Sequence, residues 1–146
     1  MYMYKDIDGR RISVPEKLLV LNNRFNRKSS ESAVKGYTVI CTGYMDCSTC
    51  VMQLKEIELF KTKYPEFNYV YIAAGKEHIY FLNQIKKSNF SFPVLKDSNS
   101  TFITENALEK YNQDVFLVNS NNEIVFIGNP FQSEFIESFF KYFYNE

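Results

Sequence analysis

The stretch from Lys35 to Cys50 reads KGYTVICTGYMDCSTC, and the fold prediction starts from it. Its first half contains Tyr37–Cys41, a β-branched and aromatic run after a glycine, which predicts a buried strand. Its second half ends in two cysteines three residues apart, Cys47 and Cys50. These cysteines begin an apolar arc at the 3.6-residue period, which predicts a helix over residues 47–64. The arc continues with Leu54, Ile57, Phe60 and Tyr64. The sequence therefore places a Cys-x-x-Cys motif where a buried strand passes into a helix.

The two cysteines of this motif have different expected environments. Cys47 lies at the predicted helix N-terminus, where free N–H groups and the helix dipole favour a thiolate. Cys50 lies one turn later and points inward, so it can attack a mixed disulfide formed by Cys47. We therefore predict that Cys47 is an exposed nucleophile and Cys50 a buried resolving thiol. The alternatives are a static disulfide or two inert thiols.

The third cysteine and the single histidine add little chemistry. Cys41 lies in the predicted strand, where a thiol behaves as a small hydrophobic side chain. His78 is predicted to lie on a helix surface. A zinc site would need two ligands besides Cys47 and Cys50. The spacing of Cys41 and His78 matches no known zinc finger, so no metal site is expected.

The rest of the chain alternates strands and helices, which predicts parallel strands joined by crossovers. A late hairpin adds antiparallel strands, so we expect an α/β fold with a central mixed sheet flanked by helices. Residues 97–112 are ambiguous apart from a helical turn at 107–111. The other predicted elements are an N-terminal β-hairpin (4–7 and 11–14), a strand at 67–74, a helix at 77–88, a strand at 92–95, a second hairpin (115–118 and 124–127), and a final helix at 131–143 after a cap at Asn129. The inner side of the helix at 77–88 is predicted to contain Ile79, Leu82 and Ile85–Lys86.

Composition excludes several classes of protein. The chain has 146 residues, a length that suits one domain. Lys plus Arg and Asp plus Glu number 17 each, so no global positive field is present to bind nucleic acid. Hydrophobic residues make up 45%, which is enough for a core and argues against disorder. No apolar run reaches the length of a membrane span.

Several segments resemble the thioredoxin-like superfamily, and most of all its TlpA-like branch of extracytoplasmic thiol–disulfide oxidoreductases. The run from Lys35 to Ile40 leading into Cys47-Ser48-Thr49-Cys50 carries the most specific part of a resemblance that covers about residues 35–143. The same branch is resembled at Phe92–Asp97, at Val115–Asn119 and at Asn122–Val125. Gly128-Asn129-Pro130 is similar to thioredoxin-like envelope proteins of Bacteroides-type bacteria. The resemblance implies a thioredoxin-like fold and dithiol–disulfide exchange without a metal or organic cofactor. Its implied partners are protein thiols and disulfides and an unidentified electron donor.

The sequence departs from this family at three places. Asp46 stands where the family usually has Trp, and a carboxylate beside Cys47 should oppose thiolate formation. Cys41 stands six positions before the nucleophile, where the family often has a buried Asp or another polar residue as proton acceptor for the resolving thiol. Gln113 and Asp114 stand where the family has a cis-proline facing the dithiol, and a trans peptide is expected here. Asp46, Gln113 and Asp114 are our candidate substrate-binding residues.

These observations predict a single thioredoxin-like domain over residues 1–146, with a hairpin and loop extension at 1–34 and the core at 35–146. The alternative function is a thioredoxin-fold binding module of the cell envelope that has lost efficient catalysis. The resemblance favours the periplasm or cell envelope. The cytoplasm stays open as the alternative, because the segment beginning at Met1 lacks the features of a signal peptide.

Overall fold

The computed structural model describes residues 10–14, 18–22, 36–111, 113–129 and 131. These residues form a mixed sheet of six strands with helices on both faces, which confirms the predicted fold class. No helix within these ranges is long and apolar enough to cross a membrane. The strands are β1 (Leu19–Val20), β2 (Thr38–Tyr44), β3 (Asn68–Ala74), β4 (Val94–Asp97), β5 (Val115–Val118) and β6 (Ile124–Ile127), and the helices are α1 (Ser48–Lys63), α2 (Ile79–Lys87), α3 (Thr101–Glu105) and a 3₁₀ helix at Glu109–Tyr111.

The sheet has the strand order β1-β4-β3-β2-β5-β6. The three central strands β2, β3 and β4 are parallel, and crossovers through α1 and α2 connect them. β5 and β6 add an antiparallel hairpin on one side, and β1 adds an antiparallel edge on the other. β2 therefore lies between a parallel and an antiparallel neighbour, and its carboxyl end opens directly into the Cys-x-x-Cys motif.

Each face of the sheet covers its own hydrophobic core. On one face, α1 and α2 bury apolar side chains such as Leu54, Ile57 and Phe81 against alternate residues of the strands. On the other face, α3 and the segment at residues 10–14 cover the remaining strand side chains, and Phe102 and Ile12 are buried there. The alternation of side chains along each strand sends successive residues to opposite cores.

α1 begins and ends close to its predicted bounds of 47–64. Cys47 is its N-cap, with extended backbone, and Tyr64 is its C-cap directly before Pro65. The predicted inner arc is correct at Cys50, Leu54, Ile57 and Phe60, which are all buried. The apolar period and the terminal proline together were sufficient to place this helix.

α2 is shorter than the predicted 77–88, and its inner side differs from the prediction. His78 is an exposed N-cap whose Nδ1 accepts the N–H of Tyr80 at 3.3 Å. Ile79, predicted to face inward, is 71% exposed, whereas Phe81 is fully buried. The helix starts at Ile79 and has only nine residues, and the side that it buries is the one that carries Phe81 and Ile85.

The ambiguous segment at 97–112 contains α3 and the 3₁₀ helix, and the latter lies within the predicted turn at 107–111. α3 was not predicted. It depends on Asp97 at the end of β4, whose carboxylate accepts the N–H groups of Thr101 and Phe102, each at 2.9 Å. A side chain four residues before the helix thus satisfies its first N–H groups, in place of the usual N-cap residue.

The predicted terminal elements are described only in part. The first arm of the N-terminal hairpin, 4–7, lies outside the described residues, and in the second arm Arg11 forms an antiparallel bridge with Glu123. The final helix at 131–143 lies outside them except for Phe131. Asn129 Oδ1 accepts the N–H of Phe131 at 2.8 Å, a hydrogen bond of the kind predicted for a cap at this position.

Candidate active site

The carboxyl end of β2 fixes the position of the dithiol. The N–H of Met45 donates to the carbonyl of Ala74 on β3 at 3.0 Å, so the turn after β2 stays attached to the sheet. The N–H of Cys47 then donates to the carbonyl of Tyr44 at 3.3 Å, which closes a tight turn before α1. The motif therefore lies where parallel strands end, an edge at which α/β folds commonly place their functional groups.

Cys47 uses its sulfur as the N-terminal cap of α1. Its Sγ accepts the N–H of Cys50 at 3.2 Å, and the hydroxyl of Thr49 lies 3.0 Å from the same sulfur. The side chain is partly exposed, so a substrate disulfide can approach it. A sulfur that accepts free N–H groups at a helix start is in a position that stabilises negative charge.

These contacts lower the pKa of Cys47 below its usual value. Partial burial acts in the opposite direction, but the hydrogen bonds from Cys50 and Thr49, through side chains and backbone N–H groups, outweigh it. Asp46, expected to oppose the thiolate, is exposed, and solvent screens its carboxylate. The departure at Asp46 therefore does not reverse the effect of the helix end.

Cys50 has the opposite character. It is 9% exposed, and burial together with the hydrogen bond to Cys47 raises its pKa above the usual value, although bonds from Tyr44 and Tyr71 act to lower it. Its thiol therefore loses its proton less readily than the thiol of Cys47 does. All three cysteines are free thiols in this structure. This asymmetry matches the predicted division between an accessible and a buried cysteine.

Two polar side chains close to Cys50 were not singled out from the sequence. Tyr71, fully buried on β3, lies beside the Cys50 thiol against Gly43, and its hydroxyl donates to Gln53 Oε1 at 3.3 Å. Gln53, 8% exposed on α1, donates through Nε2 to Asp114 Oδ2 at 3.3 Å. For Gln53, the available signal was its spacing from Cys50, because residues three apart share one helix face.

Asp114, one of the candidate substrate-binding residues, lies directly before β5 and is hydrogen-bonded to Gln53. Its carbonyl accepts both the N–H and the hydroxyl of Thr42 on β2, at 2.7 Å and 3.1 Å. The described residues contain no cis peptide bond, so the bond between Gln113 and Asp114 is trans, as expected. Asp46 does not join this group; it lies in the turn before Cys47.

A cavity of about 590 Å³ opens beside the buried cysteine. Cys50 and Gly43 form part of one wall, and the two candidates Gln113 and Asp114 form another part. The structure therefore brings two of the three candidate substrate-binding residues to a space that the resolving thiol also reaches.

Cys41 is remote from solvent. Its side chain is fully buried in the core beneath α1, and burial, with a smaller contribution from Asp114, raises the pKa of its thiol well above the usual value. This environment suits a small apolar side chain. Among the residues described, no three His, Cys, Asp or Glu side chains gather as a metal site would require.

Comparison with known proteins finds likeness in structure only. No family model matches the chain, and no curated protein matches its sequence. The thioredoxin domain of a Bacteroides vulgatus thiol-disulfide oxidoreductase superposes with a TM-score of 0.58 at 12% identity, over 90% of this chain and 96% of that one. A Chlorobium tepidum protein assigned as thiol:disulfide interchange protein DsbE gives a TM-score of 0.60 at 13% identity, over 88% and 91% of the two chains.

A third structure is a secreted Mycobacterium tuberculosis disulfide oxidoreductase homologous to E. coli DsbE. It superposes with a TM-score of 0.50 at 18% identity, over 69% of this chain and 75% of that one. Likeness at these identities is evidence about architecture. The chain therefore shares the thioredoxin-like fold of these structures.

Proposed function

We propose that this protein is a thiol–disulfide oxidoreductase that exchanges its Cys47–Cys50 dithiol with disulfides of other proteins. The observation that carries the proposal is the Cys47 sulfur at the start of α1, 3.2 Å from the N–H of Cys50 and partly exposed. A thiolate is the nucleophile in disulfide exchange, and this position favours one. The oxidoreductases that share the fold support the same activity.

The reaction would run in two steps. The Cys47 thiolate attacks one sulfur of a substrate disulfide, which forms a mixed disulfide and releases the other substrate sulfur as a thiolate. The Cys50 thiolate then attacks Cys47 Sγ, which forms the Cys47–Cys50 disulfide and releases the second substrate thiolate. The substrate gains two electrons and the protein loses two. An electron donor of the dithiol type would return the protein to its reduced state.

Asp46, Gln113 and Asp114 are the proposed contacts for the substrate. Gln113 and Asp114 border the cavity beside Cys50, and Asp46 is exposed in the turn before Cys47. A substrate bound at Cys47 would lie within reach of the adjacent Asp46 and would extend towards Gln113 and Asp114. We propose the cell envelope as the compartment, since the similar Mycobacterium tuberculosis protein is secreted.

The test is reduction of insulin by dithiothreitol, followed by turbidity, with wild-type protein and the Cys47→Ser variant. We expect the wild type to accelerate precipitation and Cys47→Ser to return the rate to that of dithiothreitol alone, because the variant forms no mixed disulfide. The matched control is Cys41→Ala, which removes the buried third thiol and should retain the activity.

Equal rates for wild type and Cys47→Ser would contradict the proposal. That outcome would favour a binding module that has lost catalysis. The specific observation in favour of this second function is Asp114 at the position where the family carries its cis-proline.

A further inference from the structure

A chain of polar side chains leads from the resolving thiol to a carboxylate at the cavity. The Cys50 thiol and the hydroxyl of Tyr71 lie side by side against Gly43. Tyr71 donates to Gln53 Oε1 at 3.3 Å, and Gln53 donates to Asp114 Oδ2 at 3.3 Å. These two hydrogen bonds run in one direction, from the Tyr71 hydroxyl towards Asp114.

The middle of this chain is buried, so its geometry is fixed. Tyr71 is fully buried and Gln53 is 8% exposed. Polar groups at such depth are costly without partners, and here they partner one another. Gly43 provides the space, because a Cβ at this position would lie 1.9 Å from Tyr71 Oη and 3.1 Å from Cys50 Sγ.

The cavity supplies a second connection between the two ends of the chain. Cys50 and Asp114 both line the space of about 590 Å³, which is open to solvent. Asp114 is exposed as a residue, but partial burial of its carboxyl beside the cavity still raises its pKa, and hydrogen bonds from its own backbone N–H and from Gln53 oppose part of that rise. A carboxylate with a raised pKa is a better proton acceptor than an ordinary one.

We propose that Asp114 accepts the proton of Cys50 during resolution of the mixed disulfide, and that Gln53 and Tyr71 are positioning residues for this transfer. The inference rests on the proposed function and deepens it. At the position where the family often has the proton acceptor for the resolving thiol, this chain has Cys41, and a buried thiol cannot accept that proton.

The transfer can be written with every proton and electron assigned. The Cys50 S–H proton passes through solvent in the cavity to the Asp114 carboxylate, and the Cys50 thiolate forms a bond to Cys47 Sγ. The bond from Cys47 to the substrate sulfur breaks, and its electron pair leaves on the substrate thiolate. That thiolate or solvent then takes the proton from Asp114, which restores the carboxylate.

Tyr71 and Gln53 have roles that differ from proton transfer. Burial and the neighbouring Cys50 raise the pKa of Tyr71, so its hydroxyl stays protonated and can turn from Gln53 to donate to the new Cys50 thiolate. An amide does not give up a proton readily, so Gln53 holds the Asp114 carboxylate in place. Hydrogen bonds to a charged group stabilise it more than neutral ones do.

The experiment is a rapid-mixing reaction of the reduced protein with 5,5′-dithiobis(2-nitrobenzoate). Attack by Cys47 releases one chromophore, and attack by Cys50 on the resulting mixed disulfide releases the second, so the two cysteines report in separate phases. We expect Asp114→Asn to slow the second phase roughly tenfold or more relative to the first phase of the same variant, as loss of a proton acceptor does. In the wild type, the rate of the second phase should increase with pH as the Asp114 carboxyl ionises, below the pH range in which thiols titrate. This increase should be absent in Asp114→Asn.

Two further variants complete the test. Glu109→Gln removes another carboxylate that lines the cavity but lies outside the hydrogen-bonded chain, and its second phase should match the wild type. Tyr71→Phe should move the second-phase profile to higher pH, because the Cys50 thiolate loses its donor. An Asp114→Asn second phase that equals the wild type at every pH overturns the inference.

The same traces distinguish the two proposals. Absence of the first phase in the wild type contradicts the proposed function itself. If Asp114→Asn does not fold, the test is the dependence of the wild-type second-phase rate on pH. An inflection below the thiol range in the second phase supports Asp114 as the acceptor, and a single thiol inflection refutes it.

Discussion

At the residue scale, the reactivity of Cys47 depends on which groups donate to its sulfur. Cys50 contributes its backbone N–H, and Thr49 contributes a hydroxyl 3.0 Å from Sγ. The N–H is part of the helix and cannot be removed by substitution without proline. The hydroxyl belongs to a side chain on the exposed side of α1, so it can be tested alone.

We predict that Thr49→Val raises the pKa of Cys47 towards its usual value. Valine keeps the branched shape but cannot donate, so the thiolate loses one hydrogen bond. The measurement is ultraviolet thiolate absorbance against pH, in which the lower titration step belongs to Cys47. At neutral pH the thiolate fraction, and with it the rate of alkylation by iodoacetamide, should fall.

Ser48→Ala is the control for this change. It removes a neighbouring exposed hydroxyl that is not bonded to the Cys47 sulfur. Superimposed titration curves for Thr49→Val and wild type would show that the helix N–H groups alone hold the thiolate.

The sequence was sufficient to predict the positions of Cys47 and Cys50, but not the contacts of Gln53 and Tyr71 beside them. Cys47 and Cys50 were predictable because a strand, a turn and a helix start all lie within one short stretch. Gln53 and Tyr71 meet only because α1 packs across β3, and residue spacing within one element carries no such information. The position of Asp114 was predicted, yet its link to Gln53 depends on the same packing.

At the element scale, the end of β2 shows why the contact between Cys50 and Tyr71 is possible. Gly43 has a backbone outside the left-handed region, so its requirement is steric: a Cβ would overlap Tyr71 Oη at 1.9 Å. Three elements, β2, α1 and β3, converge at this point. Glycine here lets the strand approach both other elements closely.

We predict that Gly43→Ala lowers the free energy of unfolding by about 1–3 kcal/mol, the usual cost of overpacking a core. The double variant Gly43→Ala/Tyr71→Phe should lose less than the sum of the two single variants, because the phenylalanine lacks the overlapping oxygen. Relief will be partial, since Tyr71 Cζ lies 2.9 Å from the added carbon. Urea unfolding of the four proteins measures this double-mutant cycle.

Additivity to within about 0.3–0.5 kcal/mol would contradict the proposed overlap, because independent sites add to that precision. The same cycle applied to the second phase of the chromophore reaction would show whether the displaced hydroxyl also affects Cys50.

Elements with local signals were predictable, and those built by distant partners were not. The β5–β6 hairpin was predicted from its turn, where Asn119 Oδ1 accepts the N–H groups of Asn121 and Glu123. α3 was missed because its first N–H groups are satisfied from β4 by Asp97. Ile79 was misplaced because a nine-residue helix has too few turns to fix its phase by pattern alone.

At the scale of the whole molecule, the predicted alternation of strands and helices gave the central parallel strands, but not the edge strand β1. That edge has only two residues, and Asn22 next to it holds it in place through Phe92 and Val94, with bonds of 2.8 Å and 3.0 Å. Such bonds connect residues about seventy positions apart in the chain. A two-residue strand with long-range support leaves no periodic pattern in the sequence.

The segment at residues 10–14 tests whether the predicted extension belongs to the same cooperative unit as the core. The N–H of Ile12 donates to the carbonyl of Asn122 at 2.9 Å, and Ser13 exchanges hydrogen bonds with the side chain of Asn106, at 2.9 Å and 2.8 Å. Ile12 itself is 4% exposed in the core beneath α3. Attachment to both the β5–β6 hairpin and the α3 region predicts that this segment unfolds with the sheet.

We predict that Ile12→Ala lowers the free energy of unfolding by about 2–5 kcal/mol, the range for removing a large buried aliphatic side chain. The loss should appear as a shift of one transition, with equal midpoints by far-ultraviolet circular dichroism and by tyrosine fluorescence, because a single cooperative unit unfolds at once. Arg11→Ala, a change at the adjacent exposed residue, should stay within about 0.5 kcal/mol of wild type. Separate midpoints, or an Ile12→Ala midpoint equal to wild type, would mean that the extension is not part of the cooperative domain. A single shifted transition would mean that the extension unfolds together with the sheet that carries the dithiol.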